Sequence, residues 1–125
     1  MNEGQVLMGV IPASYASLES IESAIKEALT KNYDVIVVSS DRDEVLGLAY
    51  KYFCTDKVQP HRRPEKMRDA EYKHIVRQLM SCYGGYHKFS LLIPDNLDFK
   101  EYDTAEFIEN YQDPPFPLSN HETVL

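Results

Sequence analysis

The chain has 125 residues, 20 of them acidic and 13 basic, and its formal net charge is −7. This length corresponds to a single domain, and 43% hydrophobic with 26% charged residues is a globular composition, not a disordered or fibrous one. Residues 1–94 hold twelve acidic and twelve basic side chains, whereas residues 95–125 hold eight acidic side chains and one basic side chain. The sequence therefore predicts a neutral body with an acidic C-terminal segment, which argues against a nucleic-acid partner.

Membrane and secretory signals are missing from the sequence. No apolar run approaches the ~20 residues that cross a bilayer, and the first residues lack the basic and then apolar regions of a secretory signal. The two cysteines, Cys54 and Cys82, are too few for a disulfide framework and form no CxxC motif. We expect a cytoplasmic protein with reduced cysteines and no membrane partner.

The first half of the chain alternates apolar runs with amphipathic stretches. Residues 5–12 and 34–40 are apolar on both faces, which is typical of buried strands. Residues 17–30 carry apolar side chains at helical spacing, so they are predicted as the first helix. Asp41 and Glu44 have the spacing of a capping box, which predicts that a second helix begins there.

The second half repeats this alternation with weaker signals. Residues 57–59 are predicted as a short third strand, followed by a polar loop at 61–69 and a third helix whose apolar positions run from Tyr72 to Tyr83. Residues 89–93 are predicted as the fourth strand. Residues 104–111 are predicted as a short helix.

The last predicted helix has its own start signal, and the chain after it has no periodicity. Asp103 and Glu106 have the spacing of a second capping box. Residues 112–125 are rich in proline and acidic, so we expect them to form a tail outside the domain.

This order of elements predicts an α/β fold. Apolar strands that alternate with helices favour a Rossmann-like three-layer sandwich with a mostly parallel sheet of about four strands, in one domain over residues 1–111. Right-handed crossovers place all strand carboxyl ends at one edge of the sheet, where such folds bind ligands. The loops expected at that edge are residues 12–17, 39–44, 59–69 and 94–98.

The first two loops contain small polar residues but no glycine-rich phosphate-binding motif. Their hydroxyl and backbone groups are candidates for contacts with the ribose or base of a nucleotide. The alternative is that these side chains only cap the following helices. The candidate nucleotide-binding residues are Pro12, Ala13, Ser14, Ser39, Ser40 and Asp41.

The third loop is the most basic segment of the chain. Arg62, Arg63 and Lys66 are predicted to bind a diphosphate, because arginine offers bidentate hydrogen bonds to phosphate oxygens. A solvated loop that balances nearby acidic residues is the alternative. A nucleic-acid groove would add interleaved aromatic residues, and Tyr72 is the only candidate for that role.

The fourth loop offers a carboxylate directly after an apolar strand. Asp95 at such a position is a candidate ligand for a divalent cation, Mg²⁺ or Mn²⁺, that neutralises a nucleotide diphosphate. Proline, aspartate and asparagine are also turn formers, so residues 94–96 are alternatively a turn. No Ser/His/Asp set has a recognisable spacing, and no catalytic residue is assigned.

With these elements in place, residues 6–98 resemble the nucleotide-sugar-binding half of the family-2 glycosyltransferases, which have the GT-A fold. VIPASY stands where that family has an IPxYN-like loop, and VIVVSSDRDEV stands where it has IIVVDDGSTDET. KVQPHRRPEK and FSLLIPDN follow in the family's order, the latter at the DxD-type metal motif. The resemblance implies a nucleotide-sugar ligand, with Asp95 at the second metal position and Ser39 and Ser40 in place of two aspartates that hold uracil and ribose.

A second resemblance points to a related chemistry. PASYASLESIESA is similar to the PxTxGHxxxIxxA segment of HIGH-type nucleotidylyltransferases, and PDNL to their GxDNL stretch. Ser17 stands where that family has the histidine that stabilises the transferred phosphoryl group. This resemblance implies the same class of fold with a degenerate motif.

Two classes of function follow. The first is a glycosyltransferase-like protein that binds a nucleotide sugar and, if it is active, transfers the sugar with a divalent cation. The second is a non-catalytic module, which binds a nucleotide or docks on a protein partner through the acidic tail. The substituted motifs and the acidic tail favour the second class, and both classes stay open.

Overall fold

The computed structural model describes residues 6–13, 16–52, 57–63, 72–82 and 86–110. The strands are β1 (Val6–Pro12), β2 (Val35–Ser40), β3 (Val58–Arg62), β4 (Tyr86–Ile93) and β5 (Asn96–Asp103). The helices are α1 (Leu18–Leu29), α2 (Asp43–Lys51), α3 (Tyr72–Cys82) and α4 (Thr104–Asn110). None of these described helices is long and apolar enough to cross a membrane.

The five strands form one mixed sheet in the order β3-β2-β1-β4-β5. β1 pairs in parallel with β2 on one side and with β4 on the other, and β3 extends the parallel part beyond β2. Only the β4–β5 pair is antiparallel. The predicted α/β class with a mostly parallel sheet is therefore confirmed.

Helices cover both faces of this sheet, and consecutive residues of β2 demonstrate it. Ile36 belongs to a buried cluster with α1 and α2, while Val37 belongs to a second cluster with α3 and α4. A strand buried on both faces needs apolar residues at successive positions, which is the pattern that predicted β1 and β2. Phe107 docks the short α4 by packing its ring 4.9 Å from that of Phe89.

The predicted number of strands was wrong, because β5 was not foreseen. Residues 94–98 were predicted as a loop, with a turn at residues 94–96 as the alternative. Pro94 and Asp95 do form a two-residue turn, but β5 begins directly after it at Asn96. β5 is an edge strand whose charged residues face solvent, while Leu97 and Phe99 are only half-buried. A strand of this kind lacks the continuous apolar run that identified β1, β2 and β4.

Of the two predicted capping boxes, the one at Asp103 has its N-cap hydrogen bond, and α1 has an N-cap that was not predicted. Ser17 caps α1 by accepting the Ser20 backbone N–H at 3.1 Å, and Asp103 accepts the Glu106 backbone N–H at 3.0 Å. The predicted box at Asp41 was wrong: the N-cap of α2 is Arg42, with no side-chain cap. The Arg42 backbone N–H is instead bound by Ser40 Oγ at 3.0 Å, two residues earlier.

Candidate functional site

The strand order places a topological switch point between β1 and β4. From β1 the chain moves outward to β2 and β3, and it then crosses to the opposite side of β1 to form β4. Loops that follow two such neighbouring strands diverge, and the crevice between them is where open α/β sheets bind ligands. The candidate site is therefore the carboxyl edge of the sheet.

The predicted residues at the ends of β1 and β2 do come together, and they form a buried floor under this edge. The Ala13 backbone N–H donates to the Ser39 carbonyl at 2.9 Å, which continues the β1–β2 pairing past Pro12. Ser40 Oγ donates to the Ala13 carbonyl at 2.5 Å. Pro12, Ala13, Ser39 and Ser40 are all buried, while Asp41 is half-buried above them. Ser14 lies outside the described residues.

A hydrogen-bonded group of three side chains spans the ends of β2 and β3. Arg63 is 1% exposed; its Nε donates to Ser39 Oγ at 2.8 Å and its Nη2 donates to the Ser39 carbonyl at 2.8 Å. Ser39 Oγ also lies 2.9 Å from His61 Nδ1. Arg63 is thus a fixed, buried cation directly beneath the edge.

The pKa of His61 depends on the burial and charge at the ends of β2 and β3. Burial, and secondly the positive charge of Arg63, lower the pKa of the His61 imidazole below its ordinary value. Both effects penalise the protonated ring. His61 is therefore neutral near pH 7, mainly because it is buried, and the positive charge of Arg63, the second cause, would favour an anionic ligand here.

Two of the predicted diphosphate-binding residues, Arg62 and Arg63, lie in different places in the structure. Arg62 is 59% exposed and forms an ion pair with Asp43 of α2. It faces a cavity of about 420 Å³ between α2 and β3, on the outer side of the sheet. Arg63 lies under the carboxyl edge, and Lys66 is outside the described residues.

Asp95 lies at the other side of the edge, beside the switch point. Its Oδ1 accepts a hydrogen bond from Ser20 Oγ at 2.7 Å, and Ser17 Oγ donates to Ser20 Oγ at 3.0 Å. The ends of β3 and β4 are three strand spacings apart, or roughly 14 Å. The structure therefore does not bring Asp95 together with His61 and Arg63.

A divalent cation at Asp95 stays a prediction. Asp95 supplies one carboxylate, and within the described ranges no three His, Cys, Asp or Glu side chains are grouped as metal ligands. Mg²⁺ sites in proteins often use one or two carboxylates and take the other ligands from substrate phosphates and water.

His61 belongs to the basic third loop that was predicted to suit a phosphate, but its contact with Ser39 was not foreseen. The parallel register pairs Ser39 with His61 and Ser40 with Arg62, so polar residues at the ends of two strands become direct neighbours. The available signal was two serines ending one strand and a His-Arg-Arg run ending the next. Arg42 was also missed; its Nη1 donates to the Ala16 carbonyl at 2.7 Å and fixes the loop after β1.

Comparison with known proteins assigns no family to the chain. No family model matches its sequence, and no curated protein matches it either. The function is therefore argued from the geometry of the carboxyl edge.

Proposed function

We propose that the protein binds a nucleoside diphosphate at the carboxyl edge of the sheet, with the phosphates near the ends of β2 and β3. The observation that carries the proposal is the buried Arg63 guanidinium beneath this edge, which is hydrogen-bonded to Ser39. A charge in a low-dielectric interior acts more strongly on a neighbouring ion than the same charge in water.

The rest of the ligand would lie towards the switch point. The exposed Ser17 and half-buried Ser20 hydroxyls there could bond a ribose or a base. An extended ligand suits this arrangement, because the polar groups are spread over several strand ends rather than gathered in one pocket.

The resemblance to family-2 glycosyltransferases favours a nucleotide sugar among the possible diphosphates. The proposal concerns binding, and a transfer step would require an acceptor and a catalytic base that it does not include.

The test is a thermal-shift panel of uridine, guanosine, cytidine and adenosine diphosphates, each with and without Mn²⁺. A ligand at 100 times its Kd stabilises the folded state by about 2.7 kcal/mol, which should raise the Tm of a domain of this size by several degrees. We expect one or two of the four nucleotides to do so. If none of them moves the Tm, the proposal is wrong.

The variant Asp95→Asn separates the nucleotide from the metal. Asparagine keeps an oxygen that can accept the Ser20 hydroxyl and tolerates the same backbone conformation, but it removes the carboxylate charge. If Asp95 holds a cation, Mn²⁺ should increase the nucleotide shift in the wild type and not in Asp95→Asn. An equal Mn²⁺ effect in both proteins would exclude Asp95 as the ligand.

A further inference from the structure

The hydrogen bonds around Ser39 determine which nitrogen of His61 carries the proton. The Arg63 Nε–H can only donate, so Ser39 Oγ accepts it at 2.8 Å. The one remaining neighbour of this buried hydroxyl within the described part of the chain is His61 Nδ1, at 2.9 Å. If His61 also donated, the Ser39 hydroxyl proton would be buried without an acceptor, which is unfavourable. Ser39 therefore donates to Nδ1.

This direction leaves the imidazole proton on the opposite nitrogen. A neutral ring that accepts at Nδ1 carries its hydrogen on Nε2. His61 is half-buried, and no other described residue hydrogen-bonds it. Its Nε2–H is a donor with a fixed orientation at the carboxyl edge, next to the positive charge of Arg63.

We propose that His61 donates its Nε2–H to a phosphate oxygen of the ligand, and that Ser39 and Arg63 are positioning residues that hold the ring in the required tautomer. The proposal rests on the proposed function and makes it more specific: the site recognises the phosphate rather than the base. Inorganic pyrophosphate should therefore bind without a nucleoside, and an uncharged nucleoside should not bind by itself.

The tautomer is tested on the free protein by ¹⁵N NMR of the histidine rings at pH 7.5. We expect His61 to have a protonated Nε2 and an unprotonated Nδ1, and Ser39→Ala to give a mixture of the two tautomers. His87, exposed near the amino end of β4, is the internal control. A wild-type His61 with its proton on Nδ1 would overturn the proposed relay.

The contact with phosphate is tested by pyrophosphate titration of two matched variants. His61→Gln places a side-chain amide near the position of Nε2 and keeps a donor there, whereas His61→Asn places the amide near Nδ1. Loss of a hydrogen bond to a charged oxygen should weaken binding about 10- to 100-fold in His61→Asn. His61→Gln should stay within about threefold of the wild type, because it keeps the donor. His87→Asn, the control, should leave the affinity unchanged.

The two proposals fail in different ways. If wild-type protein binds nucleoside diphosphates and His61→Asn binds pyrophosphate equally well, His61 is not the phosphate donor and the proposed function stands. If the wild type binds neither nucleotide nor pyrophosphate, both proposals are wrong. Binding of the nucleoside alone as tightly as its diphosphate would overturn the phosphate-directed site and leave a nucleotide site of another kind.

Discussion

Ser39 and Ser40 are neighbours in sequence that serve opposite faces of the sheet. Side chains alternate along a strand, so Ser40 lies on the side of α2 and Ser39 on the side of α3. Ser40 connects the β1 loop to the start of α2, since it bonds both the Ala13 carbonyl and the Arg42 backbone N–H. Ser39 connects Arg63 to His61. Ser40 therefore stabilises the fold, and Ser39 belongs to the candidate site.

The lowered pKa of His61 predicts a pH dependence of stability. Unfolding returns the pKa of His61 to about 6.5, so below that pH the unfolded chain binds a proton that the folded protein resists. Stability should therefore fall as the pH decreases from 7.5 to 5.5, and His61→Gln should lose less. Urea denaturation at pH 7.5, 6.5 and 5.5 measures this difference between the two proteins.

Glu22 and Glu44 do not interfere in that interval. Hydrogen bonds from Tyr52 and Lys51 lower the pKa of Glu22 below its ordinary value of 4.5, so its titration moves away from the interval. The pKa of Glu44 is also lowered, by its own backbone N–H and then by Arg42. Parallel stability curves for the wild type and His61→Gln would show that the imidazole is not perturbed by folding.

At the scale of elements, the β4–β5 hairpin decides what lies beside the switch point. Its turn consists of Pro94 and Asp95, and Asp95 has a φ of 73°. Proline followed by a residue with positive φ is the pattern of a type II turn. The turn reverses the chain at once, so β5 is antiparallel and Asp95 is held against α1 by Ser20.

The backbone of Asp95 gives a prediction with an internal control. Asp95→Ala and Asp95→Gly both lose the contact with Ser20. In Asp95→Ala the left-handed backbone conformation costs ~1–2 kcal/mol in the folded state. In Asp95→Gly the greater entropy of the unfolded chain costs ~0.4–1 kcal/mol. Asp95→Gly should be more stable than Asp95→Ala by about 0.5–1 kcal/mol. At exposed Asp98, whose φ is not positive, the order should reverse. Urea denaturation of the four variants checks both signs.

On the scale of the whole molecule, the two core clusters are joined through the sheet. Ile25 of α1 and Ile75 of α3 are both fully buried, in different clusters. The strands between them contribute side chains to each cluster, which should make unfolding a single cooperative transition.

Substitutions in the two clusters test this cooperativity. Ile25→Val and Ile75→Val should each destabilise the protein by about 0.5–1.5 kcal/mol, and the double variant by nearly the sum, because the sites are not in contact. Circular dichroism and tyrosine fluorescence should give the same urea midpoint for every variant. Different midpoints from the two probes would indicate that one layer unfolds separately.

Most acidic residues of the C-terminal segment also lie at the opposite edge of the folded molecule from Arg62 and Arg63 of the third loop. Six of the eight acidic residues of the C-terminal segment lie between Asp95 and Glu109, on the β4–β5 turn, β5 and α4. Arg62 and Arg63 lie at the end of β3, the opposite edge of the five-stranded sheet. A protein partner for the tail stays a prediction, since residues 111–125 are outside the described part of the chain.

The sequence by itself determined the class of the fold and most of its elements. Continuous apolar runs and helical periodicity are local signals, and they located the strands and helices from β1 to α4 with the exception of β5. The cap at Asp103 was equally readable, because an N-cap side chain and the backbone N–H that it accepts are three residues apart. Each of these features depends on residues that are close together in the chain.

Only the tertiary structure decided how the candidate site is composed. Ser39 meets His61 through the register of β2 against β3, and Arg63 turns inward to the same serine. β5 exists because β4 offers it an edge to pair with, not because its own sequence is apolar. Strand pairing joins residues that are far apart in the chain, and a local pattern does not contain its partner or its register.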